Sequence, residues 1–303
     1  MRKNFLFQLS SVFFIIFVFG SYVIVAQQSA VTGTWRANAR DNKEGKINVT
    51  FERQTESGGR NQMGHTYDYS DFQGLSASQT QNGNVSFRLI REAGTIDAQG
   101  TFTDGKGSGT FTFLPNRGFI DAMRSRGFDF EKSTSTSKRP SSADDRLFAA
   151  ATLGVTTKLA DDLLSANFGP LGVDDLFKAA IFKITPEYMN EMKASGFPNL
   201  DMEDLVKGRI FKIDAAWVRD VHQMGFTNSD FEQLVKFRIF KVTPEFLQTL
   251  KNEGFSSLSP EQVVKFRIFN IDSDFIRKAK ASDPNVTVEE LVEMKIGLRR
   301  GRE

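Results

Sequence analysis

The residue types able to do chemistry are few in this chain. Cysteine is absent and there are two histidines, His65 and His222. That excludes disulfides, thiol catalysis and cysteine-based zinc sites together. His222 stands alone on a helical stretch with no second histidine at ligand spacing. His65, between Gly64 and Thr66-Tyr67, reads as an exposed strand or loop residue. There is no HExxH, no Gly-x-Ser-x-Gly and no phosphate-cradling glycine loop. General acid–base chemistry would need a carboxylate pair drawn from Asp68, Asp71 and Asp97 in the β-rich part. A basic column, Lys207/Arg209, Lys236/Arg238 and Lys265/Arg267, has the spacing to track a polyanion. Against that, net charge is only +2, and Asp230, Glu232, Glu245 and Glu253 balance Lys236, Arg238, Lys241 and Lys251. Acids near helix starts and bases near helix ends are what the helix dipole favours. No catalytic, cofactor-binding or metal residue is assigned, and nucleic acid is not an expected partner. The expectation is a protein that is not an enzyme.

The elements that carry these residues are organised by a spacing. Phe240-Lys241-Val242-Thr243-Pro244-Glu245-Phe246 has relatives beginning at Phe182, Phe211 and Phe269, 29 residues apart each time. A fixed interval of this size points to stacked two-helix units. Within one unit, Ser229 with Glu232 reads as a capping box, and the helix runs through Leu234, Val235 and Ile239. Thr243 caps a second helix with Pro244 at its first position, where the missing N–H costs nothing. Gly254 closes it in the left-handed conformation, with Phe255 folding back on Leu250; Gly225-Phe226 and Gly196-Phe197 match. Helices this short are marginal alone. The columns Ile181, Ile210, Ile239, Ile268 and Tyr188, Trp217, Phe246, Phe275 are therefore expected to be buried by neighbouring units. Asn116 to Phe128 aligns with Thr185 to Phe197, so the helical region is expected over 115–303, with a flexible Ser/Thr-rich insertion at about 131–142 and a degenerate last unit at Asp283-Pro284-Asn285.

Ahead of it, 31–114 reads as an antiparallel β module. Ile47, Val49 and Phe51 alternate onto one face, as do Val85, Phe87 and Leu89. Asp104-Gly105 supplies a tight turn before Gly109 to Phe113. About six short strands imply a small sandwich or barrel. Gly33-Thr34-Trp35 resembles the Gly-x-Trp of lipocalins, and a tryptophan plugging a barrel end accounts for it. The 30 phenylalanines read as core. The fold class is thus α+β in two parts, the second a solenoid-like array of α-hairpins.

At the N-terminus, Arg2 and Lys3 precede an apolar run from Phe5 to Val25, ending at Ala26. This reads as a signal peptide over 1–26; an uncleaved membrane anchor is the alternative. Either places the rest outside the cytoplasm, periplasmic or secreted.

Phe87 to Thr95, then Gly100 to Phe113, together with the Thr-Pro-Glu-Tyr/Phe…Gly-Phe helices, resemble a known arrangement. It is the extracytoplasmic C-terminal region of some bacterial membrane zinc peptidases of the antirepressor (beta-lactam sensor-transducer) type. The resemblance covers roughly 45 to 297. Those peptidases carry several membrane helices and a zinc-binding HExxH, and this chain has neither, so no catalytic residue transfers. The resemblance implies a free-standing version of their accessory ectodomain. The expected function is an exported scaffold or sensing module presenting helices to a protein partner, membrane-associated partners included. The alternatives are a small ligand held in the β module, with the helices as docking arm, or a hydrolase using Asp68, Asp71 or Asp97.

Overall fold

The computed structural model describes residues 30–39, 45–54, 58–132, 141–167 and 169–298. The leader expected over 1–26 and the Ser/Thr-rich run at 133–140 lie outside them. The fold is α+β, a curled antiparallel sheet followed, among the described residues, by twelve α-helices.

The strands are β1 (Val31–Asn38), β2 (Lys46–Gln54), β3 (Arg60–Asp68), β4 (Phe72–Gln73), β5 (Gly83–Arg91), β6 (Gly94–Thr103) and β7 (Lys106–Pro115). They pair in the order β3-β2-β1-β7-β6-β5-β4. This is half a barrel: one sheet with β3 and β4 as edges, where the sequence suggested a sandwich or a barrel. Its bend has a local cause. Gly100 faces Gly109 across β6 and β7, and a Cβ at Gly109 would lie 2.0 Å from the Gln99 carbonyl oxygen. The bare backbones approach there and the sheet coils. Trp35 lies in the hollow, with its indole N–H donating to the Gln99 carbonyl at 3.1 Å. The expected Asp104-Gly105 turn is present, both residues having positive φ as a two-residue hairpin requires.

No second sheet covers the concave face, because a helix does. The helices begin with α1 (Arg117–Arg124), α2 (Ala143–Leu153) and α3 (Thr157–Ser165). Phe148 of α2 stacks on Phe111 at 5.5 Å and meets Phe113 edge-on at 5.4 Å. The Tyr67 hydroxyl donates to the Thr152 carbonyl at 2.8 Å, and buried Arg53 pairs with buried Asp145. A sheet face lined by Phe51, Phe87, Phe111 and Phe113 needs a wide apolar partner, and Leu147, Phe148, Ala150 and Ala151 provide it.

The chain continues as α4 (Val173–Phe182), α5 (Pro186–Ala194), α6 (Met202–Phe211), α7 (Ala215–Gln223), α8 (Phe231–Ile239), α9 (Pro244–Asn252), α10 (Pro260–Ile268), α11 (Ser273–Ser282) and α12 (Val288–Lys295). Helices α2, α4, α6, α8, α10 and α12 pack side by side in chain order, while α1, α3 and α5 start a second layer. One apolar core runs from the sheet as far as α10; a smaller one joins Leu250 and Phe266 to α11 and α12. The stop signals are as read: Gly127, Gly196, Gly225 and Gly254 all have positive φ, and the N–H groups of Phe128, Phe197, Phe226 and Phe255 reach back to Met123, Met192, Val221 and Leu250. Thr185 and Thr243 cap α5 and α9 ahead of prolines.

Two expectations are corrected. The cap of α8 is Asp230 with Gln233, one residue beyond the expected Ser229 and Glu232. An aspartate adjacent to a serine is an equally good acceptor, and starting there puts Phe231 in the core instead of in solvent. The isoleucine column is not buried: Ile181, Ile210, Ile239 and Ile268 are 49%, 52%, 46% and 51% exposed. Neighbouring residues take the interior positions at these helix ends, Ile184, Ile213, Val242 and Ile271 being buried.

Candidate functional site

Each of the three candidate carboxylates, Asp68, Asp71 and Asp97, is held by a cation of its own. Asp68 accepts from Lys46 Nζ at 2.6 Å, Asp71 lies 2.9 Å from Arg91, and Asp97 pairs with Arg88 on the outer face. Asp71 also accepts the Asp68 N–H at 3.0 Å. His65 is on β3, half-buried beside the Tyr67 ring at 5.1 Å, and not the exposed residue expected. Burial, with the positive charge of Lys183 nearby, holds its imidazole below the usual histidine value. Burial likewise pushes the Tyr67 phenol above its usual range. His222 lies in the last turn of α7, and among the described residues no group of three potential metal ligands occurs.

The basic column has a structural duty that sequence reasoning missed. Lys183, Lys212 and Lys241, one at each helix end, have φ of +54°, +55° and +51°. A lysine in this left-handed region costs on the order of 1 kcal/mol or more. Its carbonyl is turned toward the next helix pair, where an arginine receives it. Arg209 Nη2 donates to Lys183 O at 2.8 Å, Arg238 Nη2 to Lys212 O at 3.2 Å, and Arg267 Nη2 to Lys241 O at 2.7 Å. The same guanidinium planes lie over the aromatic column: Arg209 on Tyr188 at 4.0 Å, Arg238 on Trp217 at 3.8 Å, Arg267 on Phe246 at 3.8 Å. Each contact of this kind contributes about 0.5–2 kcal/mol. Arginine, aromatic ring and left-handed lysine thus weld three successive pairs of helices. Burial moves the Tyr188 phenol up to about 12 and Arg267 down. The signal was available: every arginine lies 21 residues after its aromatic partner.

The lysines near these helix ends divide. Lys178 and Lys207 reach Glu203 and Glu232 on the next helix, and Lys265 reaches Glu289 at 3.3 Å. Exposed pairs of this type contribute little each. Lys183, Lys212 and Lys241 are exposed, and no carboxylate among the described residues pairs with them.

A cleft of about 780 Å³ opens between α7 and α9, floored by Trp217, Leu247 and Phe255 and edged by Asp220 and Lys251. In the preceding pair the Glu191 carboxylate ties α5 to α7 by accepting the Ala215 N–H at 2.9 Å. Asp220 holds the corresponding place in α7, but the residue it would bind is Pro244, which has no N–H. The tie is missing and Leu247 stays half-exposed.

Comparison with known proteins finds no matching family model and no matching curated protein. Among the described residues no helix is long and apolar enough to cross a membrane.

Proposed function

We propose that this chain is an exported, non-catalytic interaction module in which a short α-hairpin solenoid of 29-residue units presents its outer surface to a protein partner. The observation that carries the reading is the row of half-exposed isoleucines, Ile181, Ile210, Ile239 and Ile268, at matching positions on adjacent helices. Monomeric proteins scatter exposed apolar residues singly; an aligned set marks a surface that something covers. The filled concavity of the sheet favours this over a small ligand held there, and the ion pairs of Asp68, Asp71 and Asp97 favour it over a hydrolytic carboxylate pair. The positive N-terminus and the long apolar run after it support export. The resemblance to the accessory ectodomain of antirepressor-type membrane peptidases supports a sensing or scaffolding role, with a membrane-associated partner in scope.

The test is crosslinking in intact cells with the full chain, followed by purification. Ile210→Glu/Ile239→Glu should lose the partner that the unaltered chain captures, while Thr34→Glu/Thr110→Glu, on the outer sheet face, should keep it. Loss with the sheet variant and retention with the helical one would overturn the reading.

A further inference from the structure

The isoleucine row has company. Two residues after each isoleucine comes Lys183, Lys212 or Lys241, with Asn270 in the fourth position. These lysines are exposed and have no carboxylate partner among the described residues, so the row is bordered on one side by positive charge. The acids that follow in sequence are turned elsewhere. Asp214 accepts the Trp217 N–H, while Glu187 and Glu245 bond to Thr185 and Thr243 at the starts of their own helices. On the other side of the row, Lys178, Lys207 and Lys265 are paired with Glu203, Glu232 and Glu289, while Lys236 is exposed and has no carboxylate partner among the described residues. The surface is therefore an apolar line with one cationic margin and one margin neutralised except at Lys236. Its complement is an apolar line with an acidic margin.

Spacing chooses the form of that complement. Adjacent packed helices stand about 8–10 Å apart, so the isoleucines recur at about that interval. Seven residues of an α-helix advance about 10.5 Å and return to nearly the same face, drifting only ~20° per heptad. An extended strand covers about 10 Å in three residues, an odd number, so every second contact would face away. A bilayer is served by a wide apolar face, often aromatic, and this row is one residue wide with each side chain only half-exposed. A bare polyanion gains nothing from isoleucine.

We infer that the partner, on the reading proposed above, docks an acidic amphipathic helix across the ends of α4, α6, α8 and α10. One apolar residue per heptad sits on the isoleucine row, and Asp or Glu beside it faces Lys183, Lys212 and Lys241. Ile296, at the end of α12 and 50% exposed, extends the same row for a longer helix.

Two measurements on the full chain test this. The first uses a synthetic four-heptad helix carrying one leucine per heptad with glutamates beside it, and a twin with lysines in place of those glutamates. In fluorescence anisotropy the acidic peptide should bind and weaken as salt rises. The lysine twin should not bind, and Lys212→Glu/Lys241→Glu should weaken the acidic peptide at least tenfold. Equal binding of both peptides, or no effect of the charge reversal, overturns the inference. The second places a photo-crosslinking side chain at Ile210, Ile239, Gln223 in the cleft, or Thr34 on the sheet, in cells. Adducts from Ile210 and Ile239 should map to residues about seven apart in one acidic segment. Adducts with lipid, or with a segment lacking that spacing, overturn the helix while sparing the row. Protein capture from Gln223 alone overturns the row but not the interaction module. No protein adduct at any position overturns both.

Discussion

Gly208→Ala adds one methyl group where α6 passes beneath the end of the Tyr188 ring. A Cβ there would stand 2.1 Å from the Tyr188 hydroxyl oxygen and 3.3 Å from the Phe231 ring. Helix propensity by itself favours alanine over glycine by about 0.8–1.0 kcal/mol. The packing opposes it. Tyr188 is 2% exposed, and its hydroxyl donates to the Ile213 carbonyl at 3.0 Å, so the ring has no free direction in which to retreat. Overfilling such a site costs about 1–3 kcal/mol, and breaking the buried hydrogen bond about 1 kcal/mol more. The expected net loss is about 1–3 kcal/mol, read as a lower urea midpoint with an unchanged slope. Tyr188→Phe alone should cost about 1 kcal/mol for the same hydrogen bond. In the double variant the methyl takes the space the hydroxyl vacated. The two losses should then fall short of additivity by at least about 1 kcal/mol. A stabilised Gly208→Ala, or additivity within about 0.5 kcal/mol, would refute the claim that the aromatic column is locked into the next helix.

Other substitutions probe other joints. Arg53→Met leaves Asp145 buried without its cation, and a loss of about 3–5 kcal/mol is expected in denaturant unfolding, partly recovered by adding Asp145→Asn. Gly225→Val should lower stability by about 1 kcal/mol or more, although nothing lies within 4 Å of the added carbon; the cost is the φ of +97° alone, and Gly225→Asn should recover part of it. Because burial raises the Tyr188 phenol to about 12, the folded state keeps a proton that the unfolded chain releases near pH 10. That contribution is whole below pH 10 and lost as pH climbs from 10 through 12, so urea midpoints should fall over this window, less steeply in Tyr188→Phe.

Much of the fold was legible where local chemistry is one-to-one. Thr243-Pro244 can start a helix but not continue one, Gly254-Phe255 can end one, and Asp104-Gly105 can hardly be anything but a turn. What stayed hidden depended on distance in space. Strand β3 was illegible because Arg60-Asn61-Gln62-Met63-Gly64-His65 is an edge strand with a polar outer side and a weak apolar alternation. The isoleucines were expected inside because an apolar column at constant interval looks the same whether the neighbouring unit covers it or runs alongside it. The arginines looked like a cationic track because their true partners, a ring 21 residues back and a carbonyl 26 back, belong to the preceding pair of helices.

Helix α2 in the hollow of the sheet has a consequence for the order in which the chain can fold. Synthesis proceeds from the N-terminus, and β7 is complete at Pro115. The helix that covers Phe51, Phe87, Phe111 and Phe113 begins only at Ala143. For the time it takes some thirty residues to emerge, at about 5–20 residues per second, the sheet has a wet aromatic face and two bare edges. A nascent chain in that interval presents an aromatic face that only its own downstream helix will cover.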